Sequence, residues 1–209
     1  MVRGALIVLV AWLAGPAAAT QDAWPALFDV AGVAADDVLN VRASPSAEAA
    51  IVAVLAPDAT GVEVIRPDPR EGWGLINTTE GTGWVSLRYL ARRPGQYSGA
   101  FPPLEQCFGT EPFWRLELGD GDAAGFSTPD DAVAGRVTGR LAALARRDRH
   151  GLTARFDDGR EMSGVISWRA CSDGMSDRDY GLGFDAILGE VLWSGCCSLA
   201  DGPVTQTPR

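Results

Sequence analysis

Four cysteines, one histidine and a short acidic loop are the residues of this 209-residue chain with the most evident chemical potential. Cys107, Cys171, Cys196 and Cys197 all fall in the second half. Metal-binding thiols come as spaced pairs or beside imidazoles, and neither pattern occurs here, so structural disulfides are expected and no metal is assigned. Cys196 and Cys197 are adjacent, about 3.8 Å apart at Cα, which is too short for an ordinary bridge between them. Cys107 and Cys171 are therefore expected to take one each, in an order left open. Successive strand side chains face opposite ways, so one bridge is expected inside a barrel wall and one outside, unless Gly195 introduces a bulge. A bridge from Cys107 to either partner closes a loop of about 90 residues, which the loop-entropy relation values at roughly 4–5 kcal/mol.

The segment Asp173 to Asp179 holds three carboxylates, Asp173, Asp177 and Asp179. Their spacing does not match a helix-loop-helix calcium loop, and Asp and Ser side chains in such a stretch commonly bond nearby backbone amides. Glu111 precedes Pro112 and is read as a strand-end residue; paired with an aspartate it would supply the two carboxylates of a glycosidase. His150, in Arg147-Asp148-Arg149-His150-Gly151, reads as a turn-tip surface residue without a nucleophile to serve. No catalytic residue and no cofactor are assigned.

The elements that must position these groups are short β-strands. Val38–Val41, 51–55, 62–65, 73–76 and 83–85 form five short runs between Gly, Asp and Pro. Residues 113–118 alternate cleanly, Asp157-Asp158-Gly159 and Leu188-Gly189-Glu190 mark two hairpins, and 137–147 is read as strand despite its Leu and Ala content. Trp168 and Trp193 each lie three residues before a cysteine and are read as core fillers. The expected class is all-β: a small SH3-like barrel, then a second small antiparallel barrel with disulfides. The domains are taken as 20–93 and 107–200, with a linker at 94–106 and a loose tail at 201–209.

Met1 to Ala19 has the basic start, apolar run and small-residue end of a cleavable signal peptide. Export to an oxidising, periplasmic compartment suits disulfides. All 18 basic residues are Arg, and 27 acids outweigh them to a net charge of −9, which argues against nucleic-acid partners.

Residues 27–91 resemble a bacterial SH3-like domain. The resemblance rests on Leu39-Asn40-Val41-Arg42 with Ser44-Pro45, and on the closing Gly83-Trp84-Val85-Ser86 with Tyr89-Leu90. It implies a small barrel that binds peptides or cell-wall fragments. Trp73, Trp84 and Tyr89 are candidates for an aromatic shelf, and Arg42 for a polar contact beside it. Core packing is the preferred role for Trp84, as is a paired strand position for Arg42.

The second half carries Cys107-Phe108-Gly109-Thr110-Glu111-Pro112-Phe113-Trp114, Cys171-Ser172-Asp173-Gly174-Met175-Ser176-Asp177 and Gly195-Cys196-Cys197. These resemble a family of exported bacterial proteins, many of them lipoproteins, although this chain has no cysteine to acylate after its apolar run. The resemblance implies a small antiparallel barrel similar in kind to lipocalin-like and lysozyme-inhibitor domains. The expected function is non-enzymatic binding of peptidoglycan peptides or an envelope protein. Inhibition of a wall hydrolase is the alternative, and wall hydrolysis by Glu111 with an aspartate a third.

Overall fold

The computed structural model describes residues 21–200, 202–203 and 205–207. The expected signal peptide lies outside them. The chain is all-β, in two antiparallel sheets.

Seven strands build the first sheet: β1 (Ala26–Val30), β2 (Leu39–Arg42), β3 (Ile51–Leu55), β4 (Val62–Pro67), β5 (Trp73–Thr78), β6 (Gly81–Ser86) and β7 (Leu90–Arg92). A single 3₁₀ turn, Leu87–Tyr89, joins the last two. The order is β3-β2-β6-β5-β4-β1-β7, with β3 and β7 as edges. The five sequence-predicted runs fall in strands, except Val38, which precedes β2. Two more, β1 and β7, pair with each other through Phe28↔Arg92 and Val30↔Leu90. Alternation selects the inner face: Leu39, Val41, Leu55, Val62, Val64, Ile76 and Val85 form one buried cluster with Ala26, Phe28 and Ala53. Six of the seven strands feed that cluster, so the sheet curls round its own core.

The second sheet is a closed eight-stranded barrel of β8 (Gln106–Thr110), β9 (Phe113–Leu118), β10 (Ala123–Ser127), β11 (Ala132–Ala142), β12 (Arg149–Phe156), β13 (Glu161–Cys171), β14 (Tyr180–Leu188) and β15 (Val191–Ser198). Each strand pairs with the next, and β15 closes on β8 through Cys197↔Cys107. Strand β11 covers most of the stretch whose composition is ambiguous between helix and strand. The Gly159 and Gly189 turns have positive φ, as hairpin turns require. Trp114, Phe126, Phe156, Phe184, Leu152, Met162 and Ile166 fill the interior. Trp168 and Trp193 pack against this cluster, in keeping with the core-filler reading.

The cysteine pairing is Cys107–Cys197 and Cys171–Cys196. The first bridge joins neighbouring strands within the barrel core. Cys196 is fully buried yet lies outside that core cluster, bonded to Cys171 at the end of β13, beyond the register shift that follows Trp168. Gly195 makes no bulge against β14. A Cβ there would sit 2.0 Å from the Phe108 carbonyl oxygen, so only glycine allows β15 to approach β8 at that point.

Two expectations are corrected. His150 is not a surface residue: it is 3 % exposed, its Nε2 lies 3.1 Å from the Gly99 carbonyl, and Phe101 and Trp168 pack against its ring. The sequence places it after a run of arginines, but β12 begins at Arg149 and the connecting segment folds over it. The tail is not wholly loose either. Gln206 exchanges two backbone hydrogen bonds with Val54, at 2.8 and 2.9 Å, on the edge strand β3.

The connection between the sheets is docked along its length. The Gln96 amide bonds both backbone groups of Leu27 and the carbonyl of Arg93. Leu27 itself packs into the barrel cluster, so the two sheets share apolar contact.

Candidate functional site

The outer face of the first sheet carries a groove of about 540 Å³. Asn40 and Arg42 reach it from β2, Trp73 from the start of β5, Ser86 from the end of β6, and Tyr89 from the 3₁₀ turn. The loop before Trp73 explains its position. Asp68 is buried, and its Oδ1 accepts the amides of Gly72 at 2.8 Å and Trp73 at 2.7 Å, while Oδ2 accepts that of Arg70 at 3.2 Å. The Trp73 amide is the main reason the Asp68 carboxyl titrates below its usual range. Glu71, in the same loop, has φ 54°. This Asx-type turn was not singled out in the sequence, although Asp68-Pro69-Arg70-Glu71-Gly72-Trp73 carries its signal.

Arg42 donates Nη1 to the Ala49 carbonyl at 2.7 Å, which pins it beside the groove as a paired strand residue. Trp84 departs from both roles expected for it. Val85 takes the inward position of β6, so Trp84 faces out, half-buried, with the Arg66 guanidinium 5.2 Å from its ring centroid. It does not line the groove with Trp73 and Tyr89.

The acidic loop of the barrel works as an interdomain contact. Asp173 accepts the amides of Met175 and Ser176 and the Ser176 hydroxyl. Burial opposes its ionisation, but these bonds together hold its carboxyl below the usual range. The Asn77 side chain of the first sheet bonds both backbone groups of Asp179, at 3.0 and 3.1 Å. Arg178 donates to the carbonyls of Thr78 and Thr79. Asp177 remains exposed. Among the described residues no group of three His, Cys, Asp or Glu is arranged to hold a metal ion. Glu111 is exposed at the β8–β9 turn and forms no hydrogen bond or ion pair with a described residue; the structure does not bring it to Asp173, Asp177 or Asp179 as a carboxylate pair.

Where the sheets meet, a cleft of about 220 Å³ opens. Its most deeply buried acid is Glu63 on β4, whose carboxyl is pushed up to about 7, chiefly by burial. Glu63 Oε2 accepts the Leu199 amide at 3.1 Å and lies 2.7 Å from Ser198 Oγ. Sequence reasoning missed Glu63, because Val62-Glu63-Val64-Ile65 reads as a strand with a solvent-facing acid.

No family model, curated protein or solved structure matches the chain. The groove and the cleft are the two candidate binding surfaces.

Proposed function

We propose that the protein is a non-enzymatic binding protein of the oxidising cell envelope, and that the groove of the first sheet receives a short extended peptide of the cell wall or of an envelope protein. The observation that carries this reading is the convergence of Arg42, Trp73 and Tyr89, from three separate elements, on one groove. Flat aromatic rings give a large contact area at small entropic cost, and the pinned guanidinium adds a charge-assisted partner for a peptide carboxylate. The bacterial SH3-like resemblance of residues 27–91 points the same way. Two disulfides fit an oxidising compartment. No helix among the described residues is long and apolar enough to cross a membrane.

The test is co-sedimentation of the full chain with purified peptidoglycan sacculi. Binding that falls about tenfold or more in Trp73→Ala, and is retained in Trp84→Ala, supports the groove. Absence of co-sedimentation with wild-type protein removes the wall peptide as the ligand. Equal loss in both variants removes the groove as the site.

A further inference from the structure

The interdomain cleft contains two polar groups that their surroundings leave incomplete. The first is Glu63. Val62 and Val64 on either side are buried in the first sheet's core, so Glu63 faces out, onto the barrel. Its Oε2 is engaged by Ser198 and Leu199. Its Oε1 is withdrawn from solvent and has no hydrogen-bond partner among the described residues. An unpaired polar atom at such depth is destabilising, and a donor that reached it would offset that cost.

Ser198 Oγ lies 2.7 Å from Glu63 Oε2 and 2.6 Å from the Ala200 carbonyl. The hydroxyl has one proton, and the carbonyl has none to give. Ser198 Oγ donates to Glu63 Oε2 or to the Ala200 carbonyl, and protonation of Glu63 lets both contacts stand, its O–H then donating to Ser198 Oγ while Ser198 donates to Ala200. Glu63 Oε1 is then the acceptor oxygen of a neutral acid, consistent with the upward pull of burial on this carboxyl.

The second incomplete group is Arg115 on β9. Its nearest carboxylate oxygen, on Glu117, is 3.7 Å away, beyond a good charge-assisted hydrogen bond, and half of its side chain is exposed. The other charges of the cleft are committed. Arg178 is used by the Thr78 and Thr79 carbonyls, and Asp173 by Ser176. Val62, Ile76 and Phe108 supply apolar lining. The volume is below the roughly 300–1,000 Å³ of sites for drug-sized ligands, so the occupant is small.

We propose that this cleft binds a free apolar α-amino acid as its zwitterion, the ammonium on Glu63 and the carboxylate on Arg115. The ligand's ammonium replaces the Glu63 proton as the partner of that carboxyl. Where Glu63 starts protonated, one proton passes from its carboxyl to solvent for each ligand bound, and no covalent bond changes. Affinity therefore rises with pH until Glu63 is ionised in the empty cleft. The site is separate from the aromatic groove, so either can fail without the other.

The experiment is titration calorimetry on the full chain with valine as probe, beside isovalerate, which lacks the ammonium, and isobutylamine, which lacks the carboxylate. Valine is expected to bind about tenfold or more tightly than either fragment. Glu63→Gln and Arg115→Ala should each weaken valine by about tenfold or more. Wild type at pH 6 should show a heat that depends on the ionisation enthalpy of the buffer, with the sign of proton release. Arg115 is half exposed, so its variant decides the matter even if Glu63→Gln fails to fold. No valine heat at millimolar concentration overturns the proposal, as does unchanged affinity in Arg115→Ala. Glycylvaline or valylglycine binding as tightly as valine overturns the free amino acid in favour of a peptide terminus.

Discussion

The two sheets of this protein reach a packed core by different means. The barrel closes on itself, fills its interior with large aromatic and aliphatic side chains, and is crossed by both disulfides. The first sheet keeps two edges and has no covalent link; its core is built largely of Val, Leu and Ala. Its loops and flanks are held by polar devices instead, such as the Asp68 turn and the Arg93–Asp29 pair. Closure removes strand edges but also fills the space a ligand would need. Consistent with that, both candidate binding surfaces involve the open sheet, one on its own outer face and one where it meets the barrel wall.

The sharpest way to break the contrast is to cut the inner bridge. The double variant Cys107→Ala, Cys197→Ala should lose about 4–5 kcal/mol of barrel stability, against about 3.5 kcal/mol for the shorter loop closed by Cys171–Cys196. Denaturant midpoints with and without reductant measure both. The contrast fails if reduction shifts the first sheet's transition as far as the barrel's.

The interface between the sheets gives the next effect. Burial raises the folded Glu63 carboxyl to about 7, above the 4.5 of a solvated glutamate. The folded state therefore holds its proton more tightly than the unfolded chain between those values. The contribution is fully present below about pH 4.5, is lost as pH rises to about 7, and amounts to roughly 3 kcal/mol. Glu63→Gln, which cannot ionise, should flatten that part of the melting-temperature profile. An unchanged profile would mean that Glu63 is solvated and the sheets are not docked through it.

Asp68→Ala removes the acceptor of three amides in one buried turn and should cost about 2 kcal/mol, with weaker peptide binding because Trp73 loses its anchor. Asp68→Asn, which retains an acceptor oxygen, should recover part of both. Arg93→Ala disrupts a pair whose side chains are each more than a third exposed, so the expected loss is only about 0.5 kcal/mol. A loss several times larger would show that this pair, and not apolar packing, holds the end of β7 against β1.

Much of the strand framework was legible because period-two alternation and turn residues are local signals. Phe113–Leu118 alternates in sequence and alternates in burial, and the Asp-Asp-Gly turn lies between β12 and β13. The adjacency of Cys196 and Cys197 anticipated one bridge within the core and one outside it, because neighbouring residues on a strand face opposite ways. Which partner each would take was not legible, since it depends on β15 lying beside β8 and on the register shift near the end of β13. For Trp84, size argued for burial while the phase of β6 assigned that place to Val85. Among the candidate site residues, Arg42, Trp73 and Tyr89 could be named from sequence, but their convergence could not.

The sequence by itself determined the all-β class, the main strand periodicity, the turn positions and the acidic, lysine-free surface, because each follows from residue type or from spacing within a few positions. Tertiary structure alone decided that Glu63 is an interface acid rather than a solvent-facing one, that His150 is covered, that the acidic loop binds the other sheet, and that Gln206 pairs with Val54. Those outcomes depend on surfaces brought together across tens to more than a hundred residues. The free energy of a polar group changes most when a distant surface removes its water, and no local pattern records which surface will do so.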